Sequence, residues 1–430
     1  MQYAAFLQTY DILNGMTLSE ELAWRGFVNQ TTFKDPSALD GDPITFYFGV
    51  DPSAVSMTIG NLAAAMMVRH FIDHGHKAIL LVGGATGMIG DPDGKAEERS
   101  LKTLEEIATY RKGLAAQYQH IFAGKPFIQV DNYDWFKDMN FLDFLRDIGK
   151  HVPMSQMLQR EFVQSRLGEE GAGISYAEFS YALIQAYDFL HLNREHGATL
   201  QLCGSDQWGN SIAGVELIRR IAGKEAHVWS TPLVINKATG KKFGKTEDGA
   251  IWLDPNLTTP TQFYQFWINS DDEGVEDYLK VYTMLDKPAV DAIIVQHRED
   301  PRQRYAQQRL AQEATTLVHG QKEMELAEAV TAYLTGKKQI QEAGDEALVA
   351  IRKEIASAQA KPDDDLLDIL VAVNLASSKS EARRLVQNNA ISLNGQKTAK
   401  EKLEASDFQN GRLLLRKGKA FKDSALVELA

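Results

Sequence analysis

Residues 44–51, ITFYFGVD, gather aromatic and β-branched side chains into one short apolar run, the pattern of a buried strand. Pro52 and Ser53 break the run, and apolar positions return at helical spacing from Asn61 to His74. A second run, KAILLV at 77–82, ends in the glycine-rich GGATGMIGDP. Strand, helix and strand in this order predict a βαβ unit, hence a parallel sheet with a right-handed crossover. Thr199–Leu202 reads as a further strand, leading through the GSDQWGN turn into a helix from about Ser211. In such α/β sheets ligands are expected at the carboxyl ends of the strands.

Between Asp131 and Arg194 the pattern is mainly helical, with Phe141, Leu142, Phe144, Leu145 and Ile148 spaced along one face. That face suits either core packing or a contact with a second copy of the chain. From Pro260 to about Ala360 the spacing is again helical and strongly charged, and Ser357–Asp365, which includes KPDDD, reads as a linker. The expected fold class is α/β: a Rossmann-like parallel-sheet domain over 1–235 with a helical insertion at about 131–195, a helical domain over 236–360, and a small α+β module over 364–430.

Composition narrows the class. Apolar content of 44% and charged content of 24% are those of an ordinary globular protein. No apolar run is long enough for a membrane helix, and the N-terminus has no secretory pattern, so the cytoplasm is the expected compartment. The single cysteine, Cys203, excludes an intramolecular disulfide and a multi-cysteine metal site. His70, His74 and His76 lack the partners of a metal site and read as surface or helix-end residues. A net charge of −12 argues against indiscriminate nucleic-acid coating, yet from Lys379 to Lys422 basic residues outnumber acidic ones.

Three segments carry candidate chemistry. Asp51-Pro-Ser-Ala-Val-Ser-Met-Thr-Ile-Gly-Asn61 joins a strand to a helix, whose N-terminus suits phosphate. Lys241-Lys-Phe-Gly-Lys-Thr246 places lysines around a glycine, able to reach one polyphosphate. Tyr181, Gln185 and Asp188 recur at helical spacing among apolar neighbours, making a polar face that needs partners. The glycines Gly84, Gly87 and Gly90 do not fit the dinucleotide spacing, which argues against a nicotinamide-dependent oxidoreductase.

Thr58-Ile-Gly-Asn61 and Lys242-Phe-Gly-Lys-Thr246 resemble the HIGH and KMSKS signatures of class I aminoacyl-tRNA synthetases, in the order and separation of that class. Tyr47-Phe-Gly-Val-Asp51, GGATGMIGDP, Tyr181-x-x-x-Gln185-x-x-Asp188 and Gly204-Ser-Asp-Gln-Trp-Gly-Asn210 resemble the bacterial-type tyrosyl subfamily, over nearly the whole chain. The resemblance implies ATP as a substrate with its Mg²⁺, L-tyrosine and tRNA(Tyr) as the other substrates, a homodimer seated near 141–148, and no tightly bound metal, membrane or DNA. It implies that Tyr181, Gln185 and Asp91 bind the substrate ammonium. Asp188 and Tyr47 would take its phenolic hydroxyl, Thr86 would line this end, and Gln207 would lie by the reacting carboxylate. Gly49, Asp51, Ser53, Gly60, Asn61, Gly204 and Asp206 would border the nucleotide. Lys95, Arg99, Lys242, Lys245 and Thr246 would embrace the pyrophosphate, with Lys245 also touching ATP.

One position departs from the signature: its first histidine is Thr58, a shorter and neutral donor. Thr58 reaching indirectly, Ser53 or Ser56 compensating, or a slow enzyme are the alternatives. The tail resembles a small RNA-binding module, with Ser380 expected to cap a helix, Asn394-Gly395 to turn a hairpin, and Lys379, Arg383, Arg384, Arg416 and Lys417 to face RNA phosphates. Two rivals stand beside this reading: a tryptophanyl enzyme, which would not need the Tyr47 and Asp188 pair, and an RNA-binding protein on an inactive core.

Overall fold

The computed structural model describes residues 15–92, 102–158, 161–167, 173–246, 249–418 and 420–430. The chain divides into two compact units, Met1–Leu257 with Ser270–Leu310, and Thr258–Asn269 with Ala311–Ala430. This division differs from boundaries at 235 and 360.

In the first unit six strands form one sheet: β1 (Gln30–Thr31), β2 (Thr45–Val50), β3 (Lys77–Val82), β4 (Phe127–Asp131), β5 (Leu200–Gly204) and β6 (His227–Thr231). Their order is β1-β6-β5-β2-β3-β4, and every pair is parallel except β1 with β6. The chain runs outward from β2 through β3 to β4, then returns to lay β5 and β6 on the other side of β2. The strand order therefore reverses between β2 and β5, the place where such sheets open a crevice.

Helix Ile59–Asp73 follows β2 and buries Leu62, Met66, Met67 and Phe71. Helices Tyr176–His196 and Trp208–Ala222 enclose a separate core of Ile79, Leu81, Phe189, Leu190, Leu217 and Ile218. A β-carbon at Gly214 would lie 3.0 Å from the Phe189 ring, so the glycine sets how closely these two helices approach. Residues 270–310 belong to this unit for a reason no local pattern reveals. The buried Arg25 guanidinium donates to the carbonyls of Lys280, Thr283 and Leu285, at 2.8, 3.1 and 2.9 Å.

Of the histidines expected at the surface or at helix ends, His70 lies in the last turn of helix Ile59–Asp73 and His74 caps it. His70 and His76 are buried, and His74 is partly covered. Glu21 holds Arg25 at 2.9 Å, His70 at 3.2 Å and His74 at 2.7 Å. His76 Nδ1 accepts from the Ile44 N–H at 3.0 Å while Nε2 lies 3.1 Å from the Leu39 carbonyl, an arrangement that needs a neutral ring. Among the described residues, no group of His, Cys, Asp and Glu is arranged to hold a metal ion. Nor is any described helix long and apolar enough to cross a membrane.

The second unit contains helices Pro260–Ile268, Gln321–Thr335 and Asp345–Glu354. Its five-stranded sheet has the order β11-β10-β12-β13-β9, from β9 (Ala356–Ala360), β10 (Ser392–Leu393), β11 (Gln396–Lys397), β12 (Arg412–Arg416) and β13 (Ser424–Leu429). Leu366, Leu370, Ile391, Leu413, Leu415 and Val427 form its core. The stretch read as a linker is thus in part a strand, because β9 pairs in parallel along β13. Asn394 and Gly395, with φ of 48° and 85°, turn the β10–β11 hairpin as expected. The helix Lys379–Gln387 is capped by Ser378, not Ser380: the Ser378 hydroxyl accepts from the Glu381 N–H.

Candidate active site

At the carboxyl ends of β2 and β5 lies a cavity of about 290 Å³. It is lined by Tyr47, Gly49, Asp51, Ser53, Thr58, Gly60, Asn61, Thr86, Asp91, Tyr181, Gln185, Asp188, Gly204, Asp206, Gln207 and Lys242, so sixteen sequence-selected positions converge on one place. Lys95 and Arg99 lie outside the described residues. Lys245 and Thr246 form the short strand β7 (Lys245–Thr246), paired with β8 (Gly249–Ala250); their side chains lie outside the description.

The deep end is densely hydrogen-bonded. Asp188 Oδ1 accepts from the Trp135 indole at 2.9 Å and Oδ2 from the Asn132 amide at 3.0 Å. The Asn132 amide also donates to the Thr86 hydroxyl at 3.0 Å, and its carbonyl accepts from the Ala85 N–H at 2.6 Å. Thr86 in turn donates to Asp51 Oδ1 at 2.6 Å, and the Tyr181 hydroxyl to Asp51 Oδ2 at 2.7 Å. Gln207 donates to Asp91 at 2.5 Å and accepts from Asn210 at 3.1 Å. Gly83 makes this possible: a β-carbon there would collide with both Asp51 Oδ1 and Thr86 Oγ1.

Burial pushes Asp188 well above the usual carboxylate range; the Asn132 and Trp135 donors oppose the shift, and the charges of Asp51 and Asp131 add to it. Burial likewise raises the phenols of Tyr181, with Asp51 and Asp91 adding to it, and of Tyr47, with Asp188 adding. Three buried polar atoms of the lining have no hydrogen-bond partner within the protein: the Tyr47 hydroxyl and the side-chain carbonyls of Gln185 and Gln201. Orphaned groups of this kind are rare in folded proteins and call for a ligand. Tyr47 and Gln201 are opposed in register on β2 and β5, so their side chains share one sheet face.

The outer end is built differently. The N–H and hydroxyl of Thr58 both donate to Asn61 Oδ1, at 2.9 and 3.0 Å, which closes the first turn of helix Ile59–Asp73. Ser56 is buried and occupied: it donates to the Met57 carbonyl at 2.8 Å and accepts from Gln117 and the Asp254 N–H. It therefore offers nothing in place of the missing histidine, while Ser53 is exposed on the cavity wall. Lys241 and Lys242 are exposed.

The family described as tRNA synthetases class I (W and Y) matches residues 39–335. The chain belongs to the class I tRNA synthetases. The tyrosine–tRNA ligase SYY-like C-terminal domain matches residues 348–422. The tyrosine–tRNA ligase of Bacteroides fragilis (strain YCH46) is 42% identical, covering 91% of this chain and 93% of its own. That of Staphylococcus haemolyticus (strain JCSC1435) is 40% identical, covering 94% and 97%. Among solved structures, a C-terminally truncated mitochondrial tyrosyl-tRNA synthetase of Aspergillus nidulans superposes with a TM-score of 0.67 at 29% identity, covering 76% of this chain and 97% of that one.

In this class I synthetase the basic positions of the C-terminal unit are partly engaged. Lys379 pairs with Asp365 and Asp368 at 2.8 and 2.9 Å, and Arg383 with Glu401 at 3.2 Å. Lys417 donates to the Leu375 carbonyl at 3.1 Å, Arg384 is exposed, and Arg416 ends β12. Sequence reasoning missed Asn132, Trp135 and Gln201. The first follows directly on β4, a carboxyl-end position where polar residues act; the second carries an indole N–H that must find an acceptor. The third is a glutamine inside an otherwise apolar strand.

Proposed function

We infer that this chain is a tyrosine–tRNA ligase, which activates L-tyrosine with ATP and transfers it to tRNA. The observation that carries the reading is the deep end of the cavity, where a buried carboxylate and an unpartnered tyrosine hydroxyl face a set of acidic groups. Asp188 and Tyr47 receive the phenolic hydroxyl of the substrate. A substrate without that hydroxyl would leave Tyr47 unpartnered in a buried site and give Asp188 no further donor. Asp91, Tyr181 and Gln185 receive the ammonium, whose positive charge offsets the mutual repulsion of Asp51, Asp91 and Asp188.

The first step is in-line attack by the tyrosine carboxylate on the α-phosphorus of ATP, which arrives with its Mg²⁺. A bond forms from carboxylate oxygen to phosphorus as the bond to pyrophosphate breaks, and no side chain acts as nucleophile. Gly49, Asp51, Ser53, Gly60, Asn61, Gly204 and Asp206 hold the nucleotide, and Gln207 steadies the reacting carboxylate. Thr58, Lys242, Lys245 and Thr246, with Lys95 and Arg99, stabilise the charge that grows on the leaving pyrophosphate. In the second step a ribose hydroxyl of the terminal adenosine of tRNA(Tyr) attacks the acyl carbon and AMP departs. Arg383, Arg384, Lys379, Arg416 and Lys417 contact phosphates of that RNA, which fixes register without reading bases. Phe141 and Leu142 are exposed and suit a homodimer contact, and the activity is a cytoplasmic one.

Tyrosine-dependent exchange of labelled pyrophosphate into ATP tests the reading, with tryptophan and phenylalanine as controls. Exchange with tyrosine alone is expected. Exchange with tryptophan instead would move the chain to the other branch of its family. Intact tRNA binding without any exchange would favour an RNA-binding protein on an inactive core.

A further inference from the structure

The segment that carries Lys242 and Lys245 is held by an aromatic contact outside the cavity's polar network. Phe243 is buried although its neighbours Lys241 and Lys242 are exposed. Its ring stacks on Tyr278 with centroids 4.1 Å apart and planes inclined by 25°, and tilts against Tyr282 at 5.9 Å. Tyr278 is itself fixed. Its hydroxyl donates to Asp271 Oδ2 at 2.9 Å, while Asp271 Oδ1 accepts from the Gly274 N–H at 2.6 Å. A side chain at Gly274 would collide with the Tyr278 ring. Lys237, earlier in the same segment, pairs with Asp277 next to Tyr278.

On its other side the segment meets the first turn of helix Ile59–Asp73. Gly244 has a φ of +85°, and a β-carbon there would lie 3.3 Å from Ile59 Cβ. The Gly244 carbonyl accepts from the Ile251 N–H at 3.1 Å, and the Ile251 carbonyl from the Ile59 N–H at 3.1 Å. Residues 243 and 244 are thus wedged between helix Val275–Tyr282 and the helix N-terminus that carries Thr58, Gly60 and Asn61.

We propose that Tyr278 is a positioning residue for tyrosine activation: its ring is the platform that seats Phe243 and thereby sets where the flanking lysines meet the phosphates of ATP. The proposal rests on the ligase reading and extends it to a helix that does not line the cavity. A small misplacement of charged groups about a transferring phosphoryl centre has a large kinetic effect, on the order of a hundredfold for about 1 Å.

The test is pyrophosphate exchange by the full chain, with ATP and tyrosine varied separately. Tyr278→Leu is expected to lower kcat/KM for ATP by roughly tenfold to a hundredfold while leaving the KM for tyrosine unchanged. Tyr278→Phe keeps the ring and is expected to restore most of the rate despite losing the Asp271 bond. Phe243→Leu should match Tyr278→Leu, and the double variant should be no worse than either, since both remove one contact. Should Tyr278→Leu fail to fold, Phe243→Leu carries the test alone. Unchanged ATP kinetics in a folded variant, multiplicative losses in the double variant, or equal shifts in both KM values would each overturn the proposal. Absence of tyrosine-dependent exchange in the unaltered chain would overturn the ligase reading, and the proposal with it.

Discussion

The two ends of the cavity solve different problems. At the deep end each carboxylate is locked by neighbours: Asp188 by Asn132 and Trp135, Asp51 by Thr86 and Tyr181, Asp91 by Gln207. At the outer end Lys241 and Lys242 are exposed, and what is fixed is the backbone beneath them, through Phe243 and Gly244. A site that must tell one side chain from another needs groups that cannot shift to satisfy a wrong ligand. A site that gathers a polyphosphate and then releases pyrophosphate needs charge that can move. The difference teaches that rigidity is placed where selection occurs and reach where charge transfer occurs.

The largest effect is expected where the locked end is opened. Asp188→Asn is expected to reduce kcat/KM for tyrosine by about 4 kcal/mol, roughly a thousandfold, because the amide sets an N–H against one of the Asn132 and Trp135 donors in a buried site. Steady-state exchange at varied tyrosine measures it, and a loss confined to ATP kinetics would break the comparison. Lys242→Ala comes next, with a loss on the order of a hundredfold in exchange rate and an unchanged tyrosine KM. Asn132→Ala is expected to cost about 1–2 kcal/mol, roughly tenfold in kcat/KM for tyrosine, with ATP kinetics intact. If Asn132→Ala and Lys242→Ala changed the same parameters, the two ends would not be separable.

The smallest effect on activity lies away from both ends, at a residue that acts on stability alone. Burial pushes the His76 imidazole down to about 4 from 6.5. A group depressed in the folded state stabilises fully above its unfolded value, and that stability is lost as pH falls from 6.5 towards 4. The loss is roughly 3 kcal/mol across that window. Denaturant unfolding at pH 7 and pH 4 should show it, and His76→Gln should flatten that share of the slope without altering tyrosine selectivity.

Much of this was legible in the sequence, and the reasons are local. The continuous apolar runs of β2 and β3 mark strands covered on both faces, and the spacing of Tyr181, Gln185 and Asp188 places them on one side of helix Tyr176–His196. What stayed hidden depends on partners far along the chain. Asn132 and Trp135 meet Asp188 across more than fifty positions, and no periodicity links them. The strand β9, ASAQA, has no β-branched residue and is a strand because β13 pairs with it. Ser378 and Ser380 offer the same hydroxyl, and only the actual start of the helix selects between them. His70 and His76 sit in and just beyond the last turn of helix Ile59–Asp73, but their burial stayed hidden because Glu21 and Leu39 approach from a different part of the chain.

Arg25 has a further consequence, for how the gene can be cut. A fragment ending at Leu257 would encode all six strands of the first sheet, yet it would strip the guanidinium of its three carbonyl acceptors and Phe243 of its stacking partner. Extending it to Leu310 restores both, but then uncovers Phe263, Tyr264 and Trp267, which helix Pro260–Ile268 buries within the other unit. Those rings pack where that helix meets Gln321–Thr335. Ending after Thr335 would in turn open the core that Val330, Tyr333 and Leu334 share with Ile340, Ile351, Leu414 and Leu426, so the gene offers no clean cut close behind the last strand of the sheet that holds the cavity.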